Sequence, residues 1–238
     1  MRRVFQFGFP VTLAILAVGF YQAMYVAPTD AAQGDIFRIL YYHVPCNVLG
    51  LLFPYVNLVA SIVFLATRHS NPPRAQAADA LALASAEVTL VFVSIGLATG
   101  MLWGRPVWGI WWTWDPRLTS VFVLWLIYVS YLLVRRFTAG GQTQTLAAVL
   151  SVFAAVDVPI VYMSIRWWRT QHPAPVFFGG PNSGFDPRML PALFWNLAGW
   201  FAWGVMLLLL RYSLERKRQT AEHQAVLHAL ETGLEAER

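Results

Sequence analysis

From its amino end the chain alternates long uncharged apolar runs with short segments that hold the charges. No Asp, Glu, Lys or Arg occurs over 4–29, 39–67, 118–134 or 189–210, runs of 26, 29, 17 and 22 residues by count. A helix needs about 20 apolar residues to cross the hydrocarbon of a bilayer, so these runs predict four membrane helices. Two further runs, 80–103 and 137–165, hold one acid each, Glu87 and Asp157, and predict two more. The fold class is therefore all-α: a polytopic membrane protein with six transmembrane helices in one bundle. The first run is too long for a signal-peptide core and lacks a small-residue cleavage site, so it reads as a helix that stays. Residues 1–211 form the membrane domain. Residues 212–238 form a charged tail in which Leu227, Leu230 and Leu234 recur at helical spacing, compatible with a short amphipathic helix or a merely solvated extension of the last span.

Composition supports the membrane assignment. Hydrophobic residues make up 58% of the chain and charged residues only 12%, too few charges to cover a soluble globule. The basic residues then fix an orientation. With both termini cytoplasmic, eleven lie on the inner side (Arg2, Arg3, Arg68, Arg74, Arg135, Arg136, Arg211, Arg216, Lys217, Arg218 and Arg238), and six on the outer (Arg38, Arg105, Arg117, Arg166, Arg169 and Arg188). That asymmetry follows the positive-inside rule. The net charge of +5 is thus a topological signal, apart from any contact with lipid phosphate, and gives no reason to expect nucleic acid. The single cysteine, Cys46, excludes an internal disulfide and a Cys-x-x-Cys-His haem attachment box; it reads as a packing residue.

The outer side carries the unusual residues. Five of the eleven tryptophans (Trp103, Trp108, Trp111, Trp112 and Trp114) fall within twelve positions, with Arg105, Asp115 and Arg117 among and beside them. Interfacial tryptophans usually come singly or in pairs. A cluster with arginines built in fits a flat apolar ligand with anionic edges, and a porphyrin with its propionates has that form. Were 108–115 helical, Trp108, Trp111, Trp112 and Asp115 would share one face. Asp115 itself either pairs with Arg105 or Arg117 or caps the helix that starts at Pro116. Of five histidines, only His43 and His172 belong to the outer side; His69, His223 and His228 do not. Each is either an interfacial histidine with a wet tip or an axial iron ligand, and two from different helices could hold haem from both faces. Arg38, Arg105 and Arg117 likewise have two readings, bidentate partners of propionates or anchors to membrane lipid phosphate. The loop 171–188, rich in Pro and Gly and holding Phe177, Phe178 and Phe185, reads as a lid or docking surface.

Glu87 and Asp157 lie inside spans, where an unpaired carboxylate costs about 2.5–3.5 kcal/mol or more. No cation falls inside a span to partner either acid; the backbone loosened by Pro159 is a candidate for Asp157. No nucleotide-binding loop occurs, so any use of ATP belongs to a partner.

The run Trp-Gly-Ile-Trp-Trp-Thr-Trp-Asp-Pro-Arg-Leu-Thr at 108–119, the His-Val-Pro at 43–45 and the Trp-Trp-Arg-Thr-Gln-His-Pro at 167–173 resemble the WWD haem-handling proteins, and among them the CcmC family. The resemblance covers nearly all of residues 1–212. It implies a protein of the bacterial inner membrane in the cytochrome c maturation system that holds haem b on the periplasmic side. It further implies His43 and His172 as axial ligands and Arg38 and Arg117 beside the propionates. Trp108, Trp111, Trp112, Trp114 and Asp115 match the signature, which forms the platform in that family. Implied partners are a CcmE-like haem chaperone, CcmA/CcmB-like ATPase and membrane subunits, and a CcmD-like small protein. The implied activity is delivery without bond chemistry, not enzymatic turnover. A b-type electron-transfer cytochrome would need its histidines deep in the bundle, and a haem or solute permease would need a longer polar path than Glu87 and Asp157 provide.

Overall fold

The computed structural model describes residues 2–137, 142–175 and 186–236. Among them the chain is helical and builds no sheet. The order is α1 (Arg2–Tyr21) with a wider turn over Gln22–Val26, a 3-10 turn over Asp35–Ile39, α2 (Leu40–Thr67), α3 (Pro72–Trp108), α4 (Pro116–Phe137), α5 (Thr143–Trp167), a 3-10 turn over Pro187–Met189, and α6 (Leu190–Ala236). Six helical segments are long and apolar enough to cross a membrane. The aromatic part of the loop over 171–188 lies outside the described residues.

The helix ends obey local chemistry. Asn71 accepts the Arg74 amide at 3.1 Å ahead of Pro72 and Pro73, an N-cap followed by residues that give up no needed donor. This cap starts α3 eight residues before the expected span, so α3 is the longest of the first five helices. At its other end Gly109 adopts φ 79° and returns its amide to the Arg105 carbonyl at 3.0 Å, a left-handed stop that glycine takes without a Cβ clash. Asp115 opens α4 by accepting the Arg117 amide at 2.9 Å.

The core forms where small residues let helices approach. The first half of α3 buries Ala75, Ala78, Ala80, Ala82, Ala84 and Ala86, and α2 packs against α3 more extensively than any other pair does. Without a hydrophobic drive between helices in lipid, such close packing is a main source of association. A Cβ on Gly50 would meet Val93 at 3.0 Å, and one on Gly96 would meet the Asn47 side chain at 2.9 Å. The pairs α4–α5 and α1–α6 flank this centre. Cys46 is buried among Leu49, Phe53, Val88 and Phe92, the packing role expected of it.

The charge pairing inside the bundle differs from expectation. Glu87 has a cation: Arg211 bonds it through both carboxylate oxygens at 2.6 and 2.7 Å. The charge-free run ends at 210, but α6 continues unbroken to Ala236, so Arg211 is held on a rigid helix beside α3. The longer α3 also buries Asp79, which takes a two-pronged bond from Arg135 of α4. Asp157 keeps a buried Oδ2 without a hydrogen-bond partner among the described residues. The tail continues α6 across 211–212, and its side chains over 221–232 face outward.

Candidate functional site

His43 sits in the first turn of α2, four residues beyond the end of the 3-10 turn that precedes the helix. His172 lies in the segment that follows α5. These two elements, far apart in sequence, deliver both imidazoles to one cavity of about 1130 Å³. His69, by contrast, lies in the turn between α2 and α3, and His223 and His228 lie on the exposed end of α6. The cavity descends along α2 from His43 past Val48 and Leu52 to Tyr55, a depth of about 18 Å at helical rise. Val158, Pro159 and Tyr162 of α5 form the facing wall. Most of the lining is apolar, and small-molecule sites commonly span about 300–1,000 Å³ with few polar groups. A second, smaller space of about 50 Å³ adjoins the same two histidines on the tryptophan side, lined by Trp108 and Trp112.

Each ring is oriented by its Nδ1. That atom of His43 lies 2.9 Å from Thr99 Oγ1, whose own proton goes to the Ile95 carbonyl at 2.7 Å. A hydroxyl has one proton, so toward His43 it accepts. That of His172 lies 2.8 Å from the Pro173 carbonyl oxygen, which only accepts. Both histidines therefore carry their proton on Nδ1 and present an Nε2 lone pair, the arrangement of metal-ligating histidines whose other nitrogen is held by a second group. Burial, followed by the Arg117 charge, pulls the His172 imidazole down to about 4, so it is neutral at pH 7. The two imidazoles with a lining arginine suit ferric or ferrous haem as bound cargo.

Asp115 is the joint that holds His172 in place. Beyond capping α4, its carboxylate accepts the Thr170 hydroxyl at 2.7 Å and the Gln171 amide at 2.8 Å. The His172 amide then donates to Thr170 Oγ1 at 3.0 Å. Burial pushes the Asp115 carboxyl up, but bonds from Thr170 and from the amides of Gln171, Arg117 and Leu118 outweigh it and hold the group below the usual carboxylate range. The joint is thus present above pH about 4 and is lost only as pH falls through that depressed value. Asp115→Asn replaces one acceptor with a donor facing these partners. It is expected to free the 168–175 segment, read as faster amide hydrogen exchange over these residues at pH 7; unchanged protection would deny Asp115 this role.

The other residues singled out in the sequence separate into two groups. Arg117 lines both spaces and donates to the Val161 carbonyl of α5. Arg38 stands behind the wall: its guanidinium donates to the Ala23 and Ala27 carbonyls, to Thr29 and to Asp35, satisfying oxygens released where α1 ends. Arg105 donates to the Gly109 carbonyl and lines neither space.

The tryptophans do not form one helical face, because the chain leaves α3 at Gly109. Trp108 packs edge-on against Trp103 at 5.0 Å between ring centroids, and Trp112 against Trp114 at 5.6 Å. Trp111 and Trp114 are 56% and 72% exposed and line neither space. Trp103, whose indole donates to Gln33 at 2.8 Å, lines both spaces instead.

Sequence reasoning missed Thr99, Asn47, Thr170 and the Arg188 that lines the large cavity. The single signal available for Asn47 was its place one helical turn after His43.

The sequence profile described as Heme exporter protein C matches residues 1–227. A heme exporter protein C of Bradyrhizobium diazoefficiens is 38% identical over 189 residues, 79% of this chain and 69% of that protein. Those of Escherichia coli (strain K12) and Haemophilus influenzae are 32% identical over 201 residues and 30% over 213; the matches cover 84% and 89% of this chain and 78% and 84% of theirs.

Proposed function

The chain belongs to the heme exporter protein C family, and from that premise we propose that it holds haem b between His43 and His172 and delivers it to a CcmE-like chaperone. The family places it among membrane proteins that handle haem in cytochrome c maturation. The observation that carries the finer reading is the pair of imidazoles on one apolar cavity, each with Nδ1 held by an acceptor, so that Nε2 carries the lone pair iron would take. Arg117, the cation that lines both spaces, is the propionate partner, with Arg188 at the rim. Arg38 reaches a propionate only by giving up the Ala23 and Ala27 carbonyls. Trp108 and Trp112 border the iron site, and the exposed Trp111 and Trp114 form the face a chaperone meets.

In this reading the protein makes and breaks only iron–nitrogen bonds and has no enzymatic turnover. The histidines lie on the periplasmic side of the bacterial inner membrane, with both termini cytoplasmic, an orientation the arginine asymmetry favours. CcmA/CcmB-like subunits supply ATP hydrolysis, which no motif here supports, and a CcmD-like protein completes the assembly.

A Trp111→Ala/Trp114→Ala double variant tests delivery apart from binding. Its own haem, measured as pyridine haemochrome, is expected to stay near the wild-type level. Haem stain on the chaperone is expected to fall about tenfold or more, since exposed aromatic anchors dominate association energies. Normal chaperone loading would reassign these indoles to the lipid interface.

A further inference from the structure

The two histidines differ in what their second nitrogen faces. Asn47, one turn along α2, donates from Nδ2 to the His43 backbone carbonyl at 2.8 Å. A carbonyl only accepts, so this bond fixes which end of the amide is nitrogen. The same Nδ2 lies 3.2 Å from His43 Nε2, and its second hydrogen meets the lone pair left by the Thr99 contact. Gly96 of α3 makes this possible: a Cβ there would come within 2.9 Å of the Asn47 amide oxygen. On the other ring, the Pro173 carbonyl holds Nδ1 of His172, and Nε2 has no protein partner among the described residues.

We propose that Asn47 is a built-in competitor for the iron-binding nitrogen of His43, which makes His43 the exchangeable ligand of the pair, while Thr99 keeps that nitrogen available. The inference rests on His43 being a haem ligand, as read above. A half-buried imidazole lone pair abandoned by iron would lose a hydrogen bond. Asn47 closes on it, lowering the free energy of the haem-free state and the net strength of the His43–iron bond. His172 gains no such replacement and remains the ligand that holds haem until the recipient takes it. A storage protein has no use for this asymmetry. A delivery protein needs it, because one face of the iron must open first.

The test uses the full-length protein in detergent, loaded with haem, and apomyoglobin as the haem acceptor. Asn47→Leu keeps the side-chain volume and removes the donor; Asn47→Ala removes it with no demand on the space beside Gly96. Both are expected to keep a low-spin spectrum and to lengthen the half-time of haem loss about fivefold, the factor of one ordinary hydrogen bond. A residue that merely braced α2 would shift release the opposite way. Thr99→Val is expected to add a high-spin component that Thr99→Ser removes. Half-times equal to or shorter than wild type in both Asn47 variants would overturn the competitor, and a wild-type spectrum in Thr99→Val would overturn the role of Thr99. His43→Ala run in parallel separates the levels. If it leaves the low-spin spectrum intact, the ligand reading itself has failed. If it abolishes that spectrum while both Asn47 variants release haem normally, only the present inference has.

Discussion

Replacement of either His43 or His172 by alanine is expected to abolish the low-spin bis-histidine spectrum and to remove most of the bound haem. The two imidazoles come from different elements, α2 and the segment after α5, onto one cavity, so neither stands in for the other. Loss of one leaves the iron with a single protein nitrogen and a vacant face that water can take, which changes its spin state. His69→Ala is the matched control, because His69 lies in the turn between α2 and α3 at the opposite end of both helices. Absorption spectra and pyridine haemochrome content of the three purified variants decide the matter. A wild-type spectrum from His43→Ala or His172→Ala would sink the assignment, and a changed one from His69→Ala would overturn the orientation as well.

The second large effect lies at the other end of the bundle and concerns stability. Arg135 and Asp79 join α4 to α3 through two hydrogen bonds, with side chains only 9% and 10% exposed. Removing one member of such a pair strands a buried charge, which costs about 3–5 kcal/mol, whereas removing both in favour of apolar groups is close to neutral. Arg135→Ala is therefore expected to lower the thermal midpoint of the detergent-solubilised protein sharply and to reduce its yield. The Asp79→Leu/Arg135→Leu double variant is expected to recover most of that loss. Haem affinity per folded molecule should be unchanged in the double variant, since the pair lies far along α3 and α4 from His43 and Arg117. Equal destabilisation in the single and double variants would mean that shape, rather than charge, holds this corner.

The Glu87–Arg211 pair provides a graded comparison. Its side chains are 28% and 39% exposed, so solvent screens them and Arg211→Ala should cost less than Arg135→Ala. Asp79, Arg135 and Arg211 sit in helix that extends beyond the apolar runs, and this explains why charge-free segments alone did not anticipate either pair. A hydropathy boundary marks where lipid contact ends. It does not mark where a helix ends, which is set by caps such as Asn71 and Gly109.

The sequence by itself determined the number of membrane helices, the fold class and the two histidines worth testing. Those properties follow from local quantities: the length of an uncharged run against bilayer thickness, and the residue types in a short motif. It also presented Asp115 ahead of Pro116 as a helix cap, because capping involves neighbours in the chain. What only the tertiary structure decided are contacts between residues of separate segments, eleven to fifty-six positions apart in the chain. Asp115 tethers Thr170 and Gln171, Thr99 sets the His43 ring, and Arg38 turns away from the cavity to serve the carbonyls at the end of α1. The division of the tryptophans into Trp103, Trp108 and Trp112 around the histidines, and Trp111 and Trp114 facing out, belongs to the same class. A periodic pattern gives a side chain's direction only while the helix lasts, and one glycine at φ 79° ends it. Beyond that residue, direction is set by whichever distant groups satisfy the backbone and the buried polar atoms, and these are known only once the helices have packed.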